Sequence, residues 1–371
     1  MKIAIVVPYI MKVEGNRVAF LIARDLARRH DVTLFAHTVV RGVVEDVRRI
    51  INQAEFKYIN DVGRGRYGIK FALEFQFLRR KTRQLSKFMK KSGEFDHVIV
   101  IANEGHWLPS YFKDHKRTKF HLLVMELHDH GIVSLMNSHA DARMVTGVLA
   151  SPFYGIFKLF ERRRFLSFNK IYSNSTWTKT LFEYLYGIPV SDVLFTIDTE
   201  FFSLPDTFDN DERFIAVPTV SLKNDPVGQK VIRRLISENV NVKCYGPMRI
   251  DGAENLGYLS DTDMVKVLGK ASATLFLFNY EALGLVPFES LSCGTPVITY
   301  DKQGPGLELK GNPSVTFAKS YDEIYRSCEH FLSQDKDLVP ARKCRESVMK
   351  YESTNVADIL ETHLTRQDSD L

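Results

Sequence analysis

Residues 279–301 read NYEALGLVPFESLSCGTPVITYD and place two carboxylates, Glu281 and Glu289, eight positions apart. Ala273 to Phe278 reads as a buried strand ahead of them. Pro287 suits the first turn of a helix, where its missing N–H is not needed, and Gly294 suits the end of that helix before Pro296 opens the next strand. The N–H groups of Gly284, Leu285 and Val286 then project from a helix start at a strand's carboxyl end, a place for phosphate or carboxylate. On this reading Glu289 falls in the first helical turn, where two roles stand side by side. It offsets the helix dipole, worth about 0.3–1 kcal/mol, or it accepts two hydroxyl hydrogen bonds from a vicinal diol such as a ribose. Glu281 has no capping duty in its loop and is placed to meet a sugar hydroxyl.

The elements that must carry this corner repeat along the chain. Lys2 to Pro8, Val32 to Ala36, His97 to Ala102, Lys119 to Glu126 and Lys170 to Ser173 read as strands, and Val18 to Arg29 as a one-sided apolar helix. Near-continuous apolar strands joined by helices indicate a parallel sheet covered on both faces. The pattern restarts with Phe214 to Pro218, Val242 to Tyr245, Ala273 to Phe278 and Pro296 to Tyr300, after the polar stretch TIDTEFFSLPDTFDNDE. The expected fold is therefore α/β: two Rossmann-like, doubly wound domains facing a cleft, 1–197 and 198–340. Ligands are expected beyond the carboxyl ends of the strands.

Composition narrows the class. A chain of 371 residues suits about two domains at roughly 150 residues each. It is 44% apolar and 26% charged, with a net charge of +5 that does not by itself argue for nucleic acid. Cys244, Cys293, Cys328 and Cys344 form no CxxC pair, so reduced thiols in a cytosolic protein are expected, with neither a disulfide framework nor a zinc site. MKIAIVVPYI reads as a first strand and not as a signal peptide. The longest apolar run, Val145 to Phe160, is interrupted by Gly147, Pro152, Gly155 and Lys158, short of a membrane span. Neither G-x-G-x-x-G after the first strand nor GxxxxGK[ST] is present, which argues against a dinucleotide dehydrogenase and a P-loop enzyme.

Four segments together resemble one family: EALGLVPFESLSCGTPVI; NLGYLSDTDMVKVLGKASATLFLFNYE before it; NKIYSNSTWTKTLFEYLYGIPVSDVLFTIDTEFF; and VPYIMKVEGNRVAFLIARDLARRHDVTLFAH. Over most of the chain the sequence is similar to retaining GT-B glycosyltransferases of family 4, the E-x7-E type. The resemblance implies metal-independent transfer of a sugar from a nucleotide-diphosphate donor, a UDP-sugar or GDP-sugar, with no further cofactor. The donor belongs in the C-terminal domain and the acceptor in the N-terminal one, with a last helix at about 341–364 crossing back. By position, Glu289 would hold the ribose and Glu281 the transferred sugar. Amides of Leu283, Gly284, Leu285 and Val286 would meet sugar hydroxyls and phosphate.

Further roles follow from the same resemblance. Lys223 would neutralise the diphosphate, Gly15 would let the first loop approach it, and His128, followed by Asp129, would stand beside the donor sugar. Tyr258, in Gly257-Tyr258-Leu259, would border the base. The first three have plain alternatives: a solvated loop lysine, an ordinary turn glycine, a satisfied histidine at a strand end. One departure stands out. Pro218 occupies the place where the family carries an Arg, with Arg249 offered as a substitute. That departure keeps a rival reading open, a weak or inactive sugar-nucleotide-binding subunit, and sugar-nucleotide epimerisation is a third.

Two other motifs read as structural. His128, Asp129 and His130 are adjacent at a strand end and point in different directions, which does not suit a metal. Asp261-Thr262-Asp263 follows Ser260 and precedes helical spacing, so it reads as a cap with first-turn acids. Residues 64–91 and 153–170 mix Lys and Arg with aromatics. They read either as a face for an anionic membrane surface, with a glycan or lipid-linked acceptor, or as a solvated basic face over core aromatics. No nucleic-acid partner is expected, and the location expected is cytoplasmic, peripheral on the inner face of the membrane.

Overall fold

The computed structural model describes residues 1–10, 16–62, 71–101, 105–112, 117–125, 158–208, 212–222 and 225–365. The chain divides into two compact units. The first holds the described residues within Met1–Val133, Ala142–Thr196 and Ser353–Leu371, and the second holds those of Ile197–Glu352.

In the first unit the strands are β1 (Lys2–Ile10), β2 (Asp31–Val40), β3 (Glu55–Val62), β4 (His97–Ile101), β5 (Lys119–Val124), β6 (Lys170–Ser173) and β7 (Asp192–Val193). They form one sheet in the order β3-β2-β1-β4-β5-β6-β7, every pair parallel. Ile5 of β1 pairs with Leu34 on one side and Ile99 on the other. The chain winds outward from β1 in one direction and from β4 in the other, so the switch point lies between them. Helices α1 (Arg17–Leu26), α2 (Val44–Ile51), α3 (Phe71–Lys91) and α4 (Thr176–Tyr186) belong to this unit. Ser175 caps α4 by accepting from Thr178 N, and Gly187 ends it in the left-handed conformation. A core of Phe35, Phe95, Phe112, Phe120, Phe165 and Phe182 packs under the sheet. Each such ring contributes about 1.5–3 kcal/mol on burial.

His97 Nδ1 and His121 Nε2 lie 3.0 Å apart within this sheet, both rings buried. One proton bridges the two nitrogens, and a second in the same gap would set two N–H groups against each other. Burial pulls the pKa of His97 below its ordinary value, and burial does the same to His37. The unfolded chain therefore takes up these protons near pH 6.5, the folded chain only at lower pH. Stability from this source is complete above about pH 6.5 and falls as pH drops below it. Thermal melts from about pH 7.5 to about pH 5 are expected to show that fall, with a shallower slope for His97→Gln. An unchanged slope in the variant would remove His97 as the cause.

The second unit repeats the winding. β8 (Ile215–Pro218), β9 (Val242–Tyr245), β10 (Glu254–Gly257), β11 (Ala273–Phe276), β12 (Val297–Thr299) and β13 (Val315–Phe317) are ordered β10-β9-β8-β11-β12-β13, again all parallel. Its switch point lies between β8 and β11. Helices α5 (Pro226–Ser237), α6 (Asp261–Lys270), α7 (Leu285–Ser292), α8 (Gln303–Glu308), α9 (Tyr321–Ser333) and α10 (Leu338–Glu346) complete the unit. Ser260 caps α6 by accepting from Asp263 N, with Asp261 and Asp263 in the first turn, so the D-x-D serves a helix start.

The single helix expected at about 341–364 is two. α10 ends at Glu346, and α11 (Ser353–Thr365) begins after a 3-10 turn at Met349–Tyr351. The break has a packing reason: Cys344 and Val348 are buried within the second unit, whereas Val356, Leu360 and Leu364 are buried within the first. α11 is tied to α1 and its neighbours by Arg24 Nη2 donating to Ser353 Oγ at 2.8 Å and by Arg29 and His30 meeting Glu361 at 2.7 and 2.8 Å. Among the described residues no helix is long and apolar enough to cross a membrane.

Candidate functional site

β11 is buried throughout, and the loop that follows it leaves the sheet at the switch point. The loop ends at Gly284 with φ 70° and ψ 95°, which turns the chain directly into α7. A Cβ there would stand 2.9 Å from Glu281 Cγ and 3.0 Å from the Phe276 ring, so the position needs glycine for both conformation and space. No side chain caps α7. Leu285 and Val286 are its first two residues, whose N–H groups have no carbonyl within the helix to bond, and Pro287 in third place has none to offer. Phe288 and Leu291 anchor the helix in the core.

α8 fixes the loop from beneath. Glu281 N donates to Gln303 Oε1 at 2.9 Å, and Gly304 N donates to Glu281 O at 3.2 Å. Both backbone polar groups of Glu281 are therefore held, while its side chain is half-buried at the loop. Gly304 packs so closely that a Cβ would lie 2.1 Å from Ala282 O. Lys302 lies on the same rim, its Nζ 3.5 Å from Asn279 O and over the rings of Tyr300 and Phe278 at 4.7 and 5.2 Å. Burial against those rings lowers the Lys302 pKa, and the charge of Asp225 opposes that shift.

Glu289 is 6% exposed and is the fifth residue of α7, in its second turn. The first-turn placement expected from sequence is thus corrected: the helix starts at Leu285, two residues before Pro287. The dipole effect falls off within the first turn, so stabilising the helix end explains less of this acid than expected. Its charge reaches Tyr245, the last residue of β9, and Cys293. Burial first and Glu289 second push the Tyr245 phenol well up and the Cys293 thiol up to about 12. The Tyr245 hydroxyl is buried with no hydrogen-bond partner among the described residues. The Tyr245 phenol, unsatisfied among the described residues, thus ends β9 within the field of the Glu289 carboxylate.

Across the switch point, β8 ends at Pro218 and Thr219 is buried. Thr219 Oγ1 donates to Tyr245 O at 3.0 Å and accepts from Met248 N at 3.1 Å. Asp225 caps α5 through Gly228 N at 3.0 Å, while its Oδ2 is buried without a partner among the described residues. Lys223, between these two segments, lies outside the described residues, as do Gly15 and His128 with Asp129 and His130. Arg249 is exposed in the turn after β9. Tyr258, 71% exposed, follows β10 at the edge of the sheet, three places from β11.

The structure therefore brings together Glu281, Leu283, Gly284, Leu285, Val286 and Glu289. It adds Lys302, Gln303, Gly304 and Tyr245, which the sequence reading did not single out. The run DKQGPG held the only signal for three of them: two small residues and a Pro in six positions are what a close backbone approach requires. The four cysteines are buried and unbonded. Among the described residues no group of three or more His, Cys, Asp or Glu side chains is placed to hold a metal ion.

Residues 250–342, which contain this corner, match the family model described as Glycosyl transferases group 1. No curated protein matches the sequence. Solved structures match the whole chain at low identity. Sucrose-phosphate synthase from Thermosynechococcus elongatus is 11% identical with a TM-score of 0.71, covering 98% of each chain. HepE of Anabaena, in complex with UDP and glucose, is 14% identical with a TM-score of 0.66, covering 99% of this chain and 100% of that one. The catalytic domain of starch synthase IV from Arabidopsis thaliana, bound to ADP and acarbose, is 10% identical with a TM-score of 0.64, covering 99% of each. The fold is that of the GT-B glycosyltransferases, with two Rossmann-like domains.

Proposed function

We propose that this protein is a glycosyltransferase that moves a sugar from a nucleotide-diphosphate sugar to an acceptor, retains the anomeric configuration and needs no metal. The observation that carries the reading is the corner between β11 and α7. Two acids eight positions apart flank the uncapped start of α7 at a switch point, within residues matching the group 1 family. Glu289 takes the ribose, Glu281 the transferred sugar, and the amides of Leu283 to Val286 the sugar hydroxyls and phosphate. Lys223 and Gly15 serve the diphosphate, His128 the sugar, and Tyr258 the base. Catalysis is then positioning together with electrostatic stabilisation of the departing diphosphate. UDP and ADP in the HepE and starch synthase structures are consistent with a nucleotide donor here. A thermal-shift screen tests it. One UDP-sugar or GDP-sugar is expected to raise the melting temperature through mass action, with chelator making no difference. No shift with any nucleotide or sugar nucleotide would end the reading.

The acceptor is proposed to be lipid-linked. Leu159, Phe160 and Leu166 are exposed in and beside the helical stretch 158–165, with Arg162 and Arg163 exposed among them, a pattern suited to an anionic membrane surface. Pro218 supports a second reading, because a proline at the end of β8 supplies no cation for the leaving diphosphate. A weak or inactive sugar-nucleotide-binding subunit would bind donor by calorimetry and give neither transfer nor slow donor hydrolysis.

A further inference from the structure

The two basic segments of the first unit meet at one aromatic ring. Arg79, from α3, and Arg164, from the stretch 158–165, both lie over Trp107, with guanidinium carbons 5.3 and 2.9 Å from the ring centre. Trp107 is 8% exposed and follows β4, one of the two strands at the switch point. Gly105 presses the same turn onto the sheet, where a Cβ would meet Val100 Cγ1 at 2.3 Å and Pro8 Cγ at 3.6 Å. Arg164 Nη1 is 3.4 Å from His106 Nε2, and His106 is buried. A further cation faces β1, with Lys81 Nζ 4.6 Å from the Tyr9 ring centre.

Like charges collect here at a cost. The Arg164 pKa is drawn down to about 10, by burial first, with Glu161 opposing and the positive charge of Arg79 adding to the fall. Glu161 also accepts a hydrogen bond from Tyr186 Oη at 2.8 Å. Two guanidiniums that repel one another at the carboxyl ends of a doubly wound sheet stand where such sheets bind ligands. An anion that reaches both would turn the repulsion into attraction, and a phosphoryl group matches the planar guanidinium fork.

We propose that Arg79, Arg164 and His106, arranged on Trp107, form a binding site for a phosphoryl group carried by the acceptor. The acceptor is then a phosphorylated molecule, either a soluble sugar phosphate or a lipid-linked phosphate. The role as acceptor site rests on the glycosyltransferase reading, whereas anion binding itself does not.

The test uses the full chain without nucleotide, so it stands apart from donor binding and transfer. The chain has two tryptophans, Trp107 and Trp177. Trp177 Nε1 is buried without a partner among the described residues, so Trp177→Phe strands no acceptor and leaves Trp107 as the sole reporter. One arm titrates glucose 6-phosphate against glucose; the other titrates phosphatidylcholine vesicles with and without phosphatidic acid. A saturable change in Trp107 emission is expected with the phosphorylated probe of one arm, and the responding arm identifies the source. Arg79→Gln, at an exposed position, is expected to weaken that binding about tenfold or more, and Arg164→Lys, which keeps the charge but loses the fork, likewise. No response in either arm overturns the site, and so does either variant, folded by circular dichroism, binding as tightly as its parent.

Discussion

A Glu281→Ala chain is expected to turn over its donor at least about 10²-fold more slowly than the parent while keeping its fold. The acid is held by its backbone, through Gln303 on one side and Gly304 on the other, so truncating the side chain leaves the loop's anchoring intact. What is lost is a preorganised carboxylate beside the amides that start α7. If that carboxylate grips the transferred sugar, the loss falls mainly on kcat, because the group matters most as the glycosidic bond lengthens. Glu289→Ala should behave differently. A ribose contact is remote from the breaking bond, so its loss falls chiefly on donor affinity, read by calorimetry. Steady-state kinetics of both variants separate the two acids, and near-normal kcat for Glu281→Ala would take it out of the site.

The contrast between the acids also shows what sequence reading reaches. Pro287, Gly294 and Pro296 punctuate the chain so strongly that a strand, a loop, a helix and a strand had to follow in that order. Where the helix begins was another matter. Proline is tolerated anywhere in the first turn, because the first helical N–H groups are all unsatisfied. Only the sharp turn at Gly284, set by its positive φ, places the start at Leu285 and moves Glu289 into the second turn. The central strands were legible because both their faces are buried. β3, β7, β10 and β13 were missed, the edge strands of the two sheets: β3 and β10 carry polar residues, EFKYINDV and ENLG, and β7 and β13 have two and three residues.

Cation placement was the least legible part. The sequence shows Pro218 where a basic residue was expected, and offers Arg249 by proximity alone. In the fold Lys302 stands on the rim of the loop after β11, resting on Tyr300 and Phe278. Nothing in the spacing of DKQG announces this, because the contact joins the ends of two different strands. Arg79 and Arg164 are separated by more than eighty positions and meet only because α3 and the stretch 158–165 both pack at the turn after β4.

The second large effect is expected at Gly304, a residue that carries no functional group. A Cβ at this position would lie 2.1 Å from Ala282 O, 2.4 Å from Ala282 C and 2.6 Å from Leu283 N. All three atoms are backbone, so no side chain can swing aside, and either α8 or the loop over β11 must move. The hydrogen bonds from Gly304 N to Glu281 O and from Glu281 N to Gln303 Oε1 couple the two segments, so displacement carries Glu281 with it. Overpacking of this kind costs about 1–3 kcal/mol in stability. Misplacing a reacting group by about 1 Å can cost about 10²-fold in rate. Gly304→Ala is therefore expected to lose about 10²-fold in kcat/KM while still melting cooperatively. Gly311→Ala supplies the comparison: its φ is 79° with nothing within 4 Å of the added Cβ, so it bears only backbone strain of about 1–2 kcal/mol. Two variants of similar stability should then differ sharply in activity. Equal activity would mean that the position of this loop does not set the rate, and that the acids it carries act elsewhere than on the sugar.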